Sequence, residues 1–157
     1  MIKKYLRRLR SGAGLAVRAG RYFWRDPRSG MLVLRMASWV IVLSILIRLF
    51  PLPRALSIIA PKYRQPTTDD PEELQQKLAG LIDALLGLDV SVFTPTCWKR
   101  APVLHRYLAL NGIKTRIIFG VRKEGEGPLE GHAWLEIGKE PILETSPPKY
   151  TVTYAFP

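Results

Sequence analysis

Two segments decide how this chain is read: Thr94-Pro95-Thr96-Cys97-Trp98-Lys99-Arg100-Ala101 and Gly131-His132-Ala133-Trp134-Leu135-Glu136. The first heads a helix. Thr96 is an N-cap type, and Asn111-Gly112 after Leu110 is a strong stop signal. Cys97, Ala101, Leu104 and Leu108 share one face of that helix. The second segment reads as a strand, whose period of two puts His132, Trp134 and Glu136 on one side and Ala133 and Leu135 on the other. Glu144 follows on the next predicted strand. A thiol, an imidazole and a carboxylate thus come from three different elements, the set that a cysteine nucleophile needs.

Outward from these segments the pattern stays mixed. Ile113–Val121 is rich in Ile, Phe and Val and predicts a strand. A turn over 122–130 leads to a strand at His132–Ile137, then to one at Pro141–Thr145. Pro147-Pro148 breaks the pattern, and Tyr150, Val152 and Tyr154 suit a further edge strand. Upstream, Asp70-Pro71-Glu72-Glu73 is a helix start, with Asp70 as cap and Glu73 reaching back. Leu74, Leu78, Leu81, Ile82 and Leu85 then fall on one helical face, and Gly87 ends the helix. Residues 61–69 form a polar linker. The expected class is α+β: residues 61–157 as one domain with a small antiparallel sheet, and residues 1–60 as a basic and hydrophobic helical region.

The net charge of +11 is concentrated at the N-terminus. Residues 1–30 carry nine Lys or Arg against one acid, Asp26. Residues 3–23 read as a basic helix interrupted by Ser11-Gly12-Ala13-Gly14. Residues 31–50 are the most apolar window, with Arg35 and Arg48 bracketing a run free of charge. Leu32–Leu49 reaches the length of a membrane span only if both arginines snorkel to the interfaces. The other readings are an interfacial helix and a helix of the domain core. The plain reading of such a basic arm is a solvated tail; as a binding element it suits an anionic membrane surface better than nucleic acid, for which no motif is present. Pro51 and Pro53 close the window, and Arg54–Ala60 suits one short further turn. The chain has one cysteine and two histidines. That excludes an internal disulfide and a multi-cysteine zinc site, and it suits a reducing compartment. The expected location is cytoplasmic and peripheral to the inner face of the cell membrane. No cofactor or metal is expected.

A lone cysteine is ordinarily a small buried hydrophobe. In a first helical turn, beside Lys99 and Arg100, it gains thiolate character instead. His105 is a rival base, but it lies eight residues along the same helix, a rise of about 12 Å. His132 is free of that limit. Glu136 shares its face but lies about 13 Å along the strand. Glu144 reaches the His132 face if Gly138-Lys139-Glu140 forms a three-residue loop, which pairs Ile137 with Pro141 and Trp134 with Glu144. A two-residue turn puts Glu144 on the opposite face, and Glu130 is the next carboxylate to consider.

The order and spacing of Thr96–Ala101, of the helix ending Leu110-Asn111-Gly112-Ile113, of Phe119-Gly120-Val121 and of Gly131–Glu136 resemble the transglutaminase-like cysteine peptidase superfamily. Within it they are most similar to the leader peptidases of lasso-peptide biosynthesis, the microcin-processing B proteins. The resemblance covers roughly residues 70–146 and extends to the apolar Leu34–Ile59 segment. It implies a papain-like core with Cys97 as nucleophile and His132 as general base and acid. It also implies a third residue that is ordinarily aspartate, where this chain has Glu144. Pro102 departs from the helix former usual at its position. The implied function is removal of the leader from a ribosomally made precursor peptide. The implied partners are that precursor, a separate leader-recognition protein and an ATP-dependent ring-closing enzyme. The alternatives are an amide or acyl transferase on the same fold and an idle membrane-associated binding protein.

Overall fold

The computed structural model describes residues 27–157 apart from 64, 66–69, 124–126 and 145–148. The basic helix expected over residues 3–23 therefore lies outside the described residues, as do parts of the linker, of the 122–130 turn and of the segment after Glu144. Four helices come first: α1 (Pro27–Leu49), α2 (Leu52–Ile59), α3 (Pro71–Leu86) and α4 (Cys97–Leu110). Four strands follow: β1 (Arg116–Arg122), β2 (Glu130–Ile137), β3 (Glu140–Ile142) and β4 (Thr151–Phe156). The strands make one antiparallel sheet in the order β3-β2-β1-β4. The α+β expectation holds, and β4 is the edge strand that the tail suggested.

The helix ends are explained by their residues. Asp70 Oδ1 accepts from the Glu73 amide at 2.9 Å, and Pro71 takes the first turn, where its missing N–H costs nothing. At the end of α4, Gly112 adopts φ 81°. The amide of Gly112 donates to the Ala109 carbonyl and that of Ile113 to the Leu108 carbonyl, a paired closure that only a left-handed residue permits. The segment after Pro51 is a full eight-residue helix rather than a single turn.

Helix α4 is the hub. It packs on β2 and β1 and receives α1, α2 and α3 around it. The core joins Met36, Val40 and Leu43 of α1, Leu56 and Ile59 of α2, Leu78 and Ile82 of α3, Leu104 and Leu108 of α4, and Ile117, Leu135 and Phe156 of the sheet. It runs without a break across residue 60. Arg106 of α4 ties this together, with its guanidinium 3.7 Å from the centre of the Trp39 ring and Nη1 donating to the Ile59 carbonyl.

The β2–β3 hairpin departs from expectation. Ile137 pairs with Glu140, Glu136 with Pro141 and Leu135 with Ile142, so the loop is the two residues Gly138 and Lys139. Their φ values, 61° and 94°, are those of a tight turn whose twist matches the strands. Continued as a ladder, this register would carry Glu144 to Ala133 and away from His132. The ladder does not continue. β3 ends at Ile142, and Leu143 takes φ 60°, a left-handed conformation that turns the chain out of the sheet before Glu144.

Candidate active site

His132 and Glu144 come together. Glu144 Oε2 lies 3.1 Å from His132 Nε2, with both side chains about a quarter exposed or less. The three-residue loop that was to bring them together is replaced by the break at Leu143. A carboxylate on Nε2 places the proton of the neutral ring on that nitrogen and leaves Nδ1 as the basic site. The ring is also packed against two aromatic rings. Trp134 stacks on it at 5.8 Å between centroids and an angle of 17°, as two residues on one strand face do. Tyr150 lies 5.2 Å away, and the Arg122 guanidinium sits 4.9 Å above the Tyr150 ring.

Gly120 makes this room. It pairs with His132 across β1 and β2. A Cβ at Gly120 would stand 2.8 Å from Tyr150 Cβ and 3.0 Å from the Trp134 ring. The register between β1 and β4 also shifts at Phe119/Gly120.

Cys97 is the first residue of α4 and is half-buried. Thr96 caps with its backbone only: its hydroxyl donates to the Thr94 carbonyl at 3.4 Å, and its side chain makes no cap bond. Lys99 and Arg100 amides both reach the Thr96 carbonyl. The amides of Cys97 and Trp98, at the very start, have no acceptor within the helix. Pro102 lacks the N–H that would reach the Trp98 carbonyl, and the helix runs through it.

The two cations beside the thiol have other partners. Lys99 is buried and donates from Nζ to the Val92 carbonyl at 2.6 Å and to Thr94 Oγ1 at 2.7 Å. It thereby clamps the loop before Cys97, where Asp89 and Ser91 hold left-handed φ values and Val90 bridges Phe93. Burial pushes the Lys99 ammonium below the usual lysine range, and Arg48 adds to this. Arg100 grips Asp83 of α3 through Nε at 2.7 Å and Nη2 at 3.2 Å. Its Nη1 lies 4.0 Å from Glu144 Oε1. One turn beyond Cys97, α4 therefore reaches the carboxylate that holds His132.

The remaining candidates are accounted for. His105 is buried, with Nδ1 2.9 Å from Thr115 Oγ1 and its ring packed edge-on to Tyr63 and Phe156. Burial lowers its pKa to about 4, against the smaller opposing effect of a hydrogen bond that the ring donates to the Thr115 backbone. Glu130 pairs with Arg122 at 2.7 Å. Glu136 accepts from Trp134 Nε1 at 3.1 Å and from Arg116 Nη2 at 3.0 Å. Its distance along β2 is thus put to a structural use. The sequence does not announce Tyr150 and Gly120 as neighbours of the imidazole, or Arg100 as a neighbour of Glu144. Tyr150 arrives from beyond a double proline, and nothing local announces it. A groove of about 580 Å³ opens beside Leu143, rimmed by Glu72, Glu73 and Glu140. Among the described residues, no three His, Cys, Asp or Glu side chains gather as a metal site.

Comparison with known proteins gives one result. A family profile described as the transglutaminase-like superfamily matches residues 39–155. No curated protein and no solved structure matches the chain.

Proposed function

Because the chain belongs to the transglutaminase-like superfamily, which includes cysteine peptidases and transferases, we propose that it is a cysteine peptidase that removes the leader from a ribosomally made precursor peptide in lasso-peptide maturation. The observation that carries this reading is the 3.1 Å contact between Glu144 and His132, set beside the helix that begins with Cys97. In the proposed reaction His132 takes the Cys97 proton, and the sulfur attacks the scissile carbonyl. The oxyanion is met by the amides of Cys97 and Trp98. His132 then protonates the leaving amine as the C–N bond breaks, leaving a thioester. Water, deprotonated by His132, releases the acid and restores the thiol. Glu144 orients the imidazole and stabilises its cationic form. The leader itself is held by a separate recognition protein, and the cut product passes to an ATP-dependent ring-closing enzyme.

The test is mass spectrometry of a lasso-type precursor peptide incubated with the protein and a leader-recognition protein. We expect two fragments whose masses add up to the precursor plus one water. Cys97→Ala and His132→Ala each abolish the fragments and leave the melting temperature within a few degrees. An intact precursor with the unaltered protein sinks the leader-peptidase reading. An added amine found on the product assigns acyl transfer instead.

A further inference from the structure

Helix α1 is apolar on two opposite faces, and the core uses only one. Met36, Val40 and Leu43 are fully buried against α3 and α4. Their opposite face carries Met31, Leu34, Ile41, Val42, Ile45 and Leu49, between 36% and 68% exposed. With Ser38, these fall at spacings of three, four and seven, a single stripe along the helix. The one polar group on that stripe is already satisfied within the helix, since Ser38 Oγ donates to the Leu34 carbonyl at 3.0 Å. Arg35 and Arg48 are exposed at the two edges of the stripe. Arg54, exposed on α2, lies beyond its end, and Ile58 of α2 is exposed as well.

We propose that this face of α1 docks the protein in the plane of an anionic lipid surface. This goes beyond the peptidase reading and does not depend on it. Charge selects the occupant. Nine Lys or Arg against one acid lie in residues 1–30, directly before and into α1, and arginines border the stripe itself. A cationic rim around an apolar stripe fits a layer of anionic headgroups over acyl chains. A second copy would bring the same cations face to face, which opposes pairing. The stretch Ser29–Leu49 is long and apolar enough to cross a bilayer. A crossing would strip Met36, Val40 and Leu43 from the core, whereas docking flat leaves them in place.

Sedimentation of the full-length protein with vesicles tests this, comparing phosphatidylcholine alone with phosphatidylcholine containing phosphatidylglycerol. We expect binding to the anionic vesicles at least about tenfold stronger than to the neutral ones, and release at high salt. Ile41→Glu with Ile45→Glu lowers that binding by a further tenfold or so, because acidic groups replace the apolar stripe. A second readout does not depend on how the double variant folds. Ile45→Cys in a Cys97→Ala background takes an environment-sensitive dye, whose emission shifts to the blue on anionic vesicles. The proposal is overturned if anionic vesicles do not bind, if the dye does not shift, or if binding ignores a folded Ile41/Ile45 variant. Binding that resists salt and yields only to detergent overturns it in favour of a span. A dimer broken by the same substitutions overturns it in favour of a second copy.

Discussion

Glu144 reaches His132 from a residue that has already left the sheet, so the length of its side chain matters. Glu144→Asp withdraws the carboxylate by about one C–C bond, ~1.5 Å. A contact of 3.1 Å then passes out of hydrogen-bonding range. Glu144→Gln keeps the reach but loses the charge that favours the imidazolium. In the proposed cleavage assay we expect both to be slow rather than dead, by on the order of 10²-fold, against the full loss in Cys97→Ala. Rates like the unaltered protein's in both variants would mean that another group orients His132. Cys97, His132 and Glu144 were all legible as candidates in the sequence, because each residue type is chemically distinctive. The bracing around them was not. Tyr150, Gly120 and Arg100 act through proximity, which no local pattern encodes.

At the scale of elements, β1 and β2 are fitted around an imidazole packed with two aromatic rings that also touch each other. Gly120→Ala pushes a methyl into Tyr150 Cβ and the Trp134 ring. Neither neighbour can step aside like the end of a flexible chain, so we expect a loss of about 1–3 kcal/mol. A lower melting temperature together with a slower cleavage rate would show it. A variant indistinguishable in both would mean that the rings are loosely held. The helices were read from their caps and stops because Asp70, Pro71 and Gly112 act locally. The hairpin was misread for a physical reason: its two-residue loop needs φ above zero at Lys139, which the residue type does not advertise. The second error of the same kind, a left-handed Leu143, is what brings Glu144 back to His132. Parity reasoning assumes an unbroken strand, and β3 ends after three residues.

For the whole molecule, acid should loosen the core through His105. Its ordinary value near 6.5 falls to about 4 in the folded chain because burial disfavours the charged ring. The unfolded chain therefore binds more protons between these values, and stability rises with pH across that window. As pH drops from about 6.5 to about 4, we expect a loss of about 3 kcal/mol from this group. Denaturant midpoints of the unaltered protein and of His105→Gln across this range would show it, with the slope flattened in the variant. An equal slope in both would assign acid sensitivity elsewhere. The junction of α1 with α4 also has a meaning for synthesis. α1 ends at Leu49, and α4 is complete only at Leu110. At about 5–20 residues per second, the apolar helix leaves the ribosome roughly 3–12 s before the last of the helices that cover its core face. Until then that face is incompletely covered, so the targeting machinery that surveys nascent chains meets a different helix from the one in the finished fold.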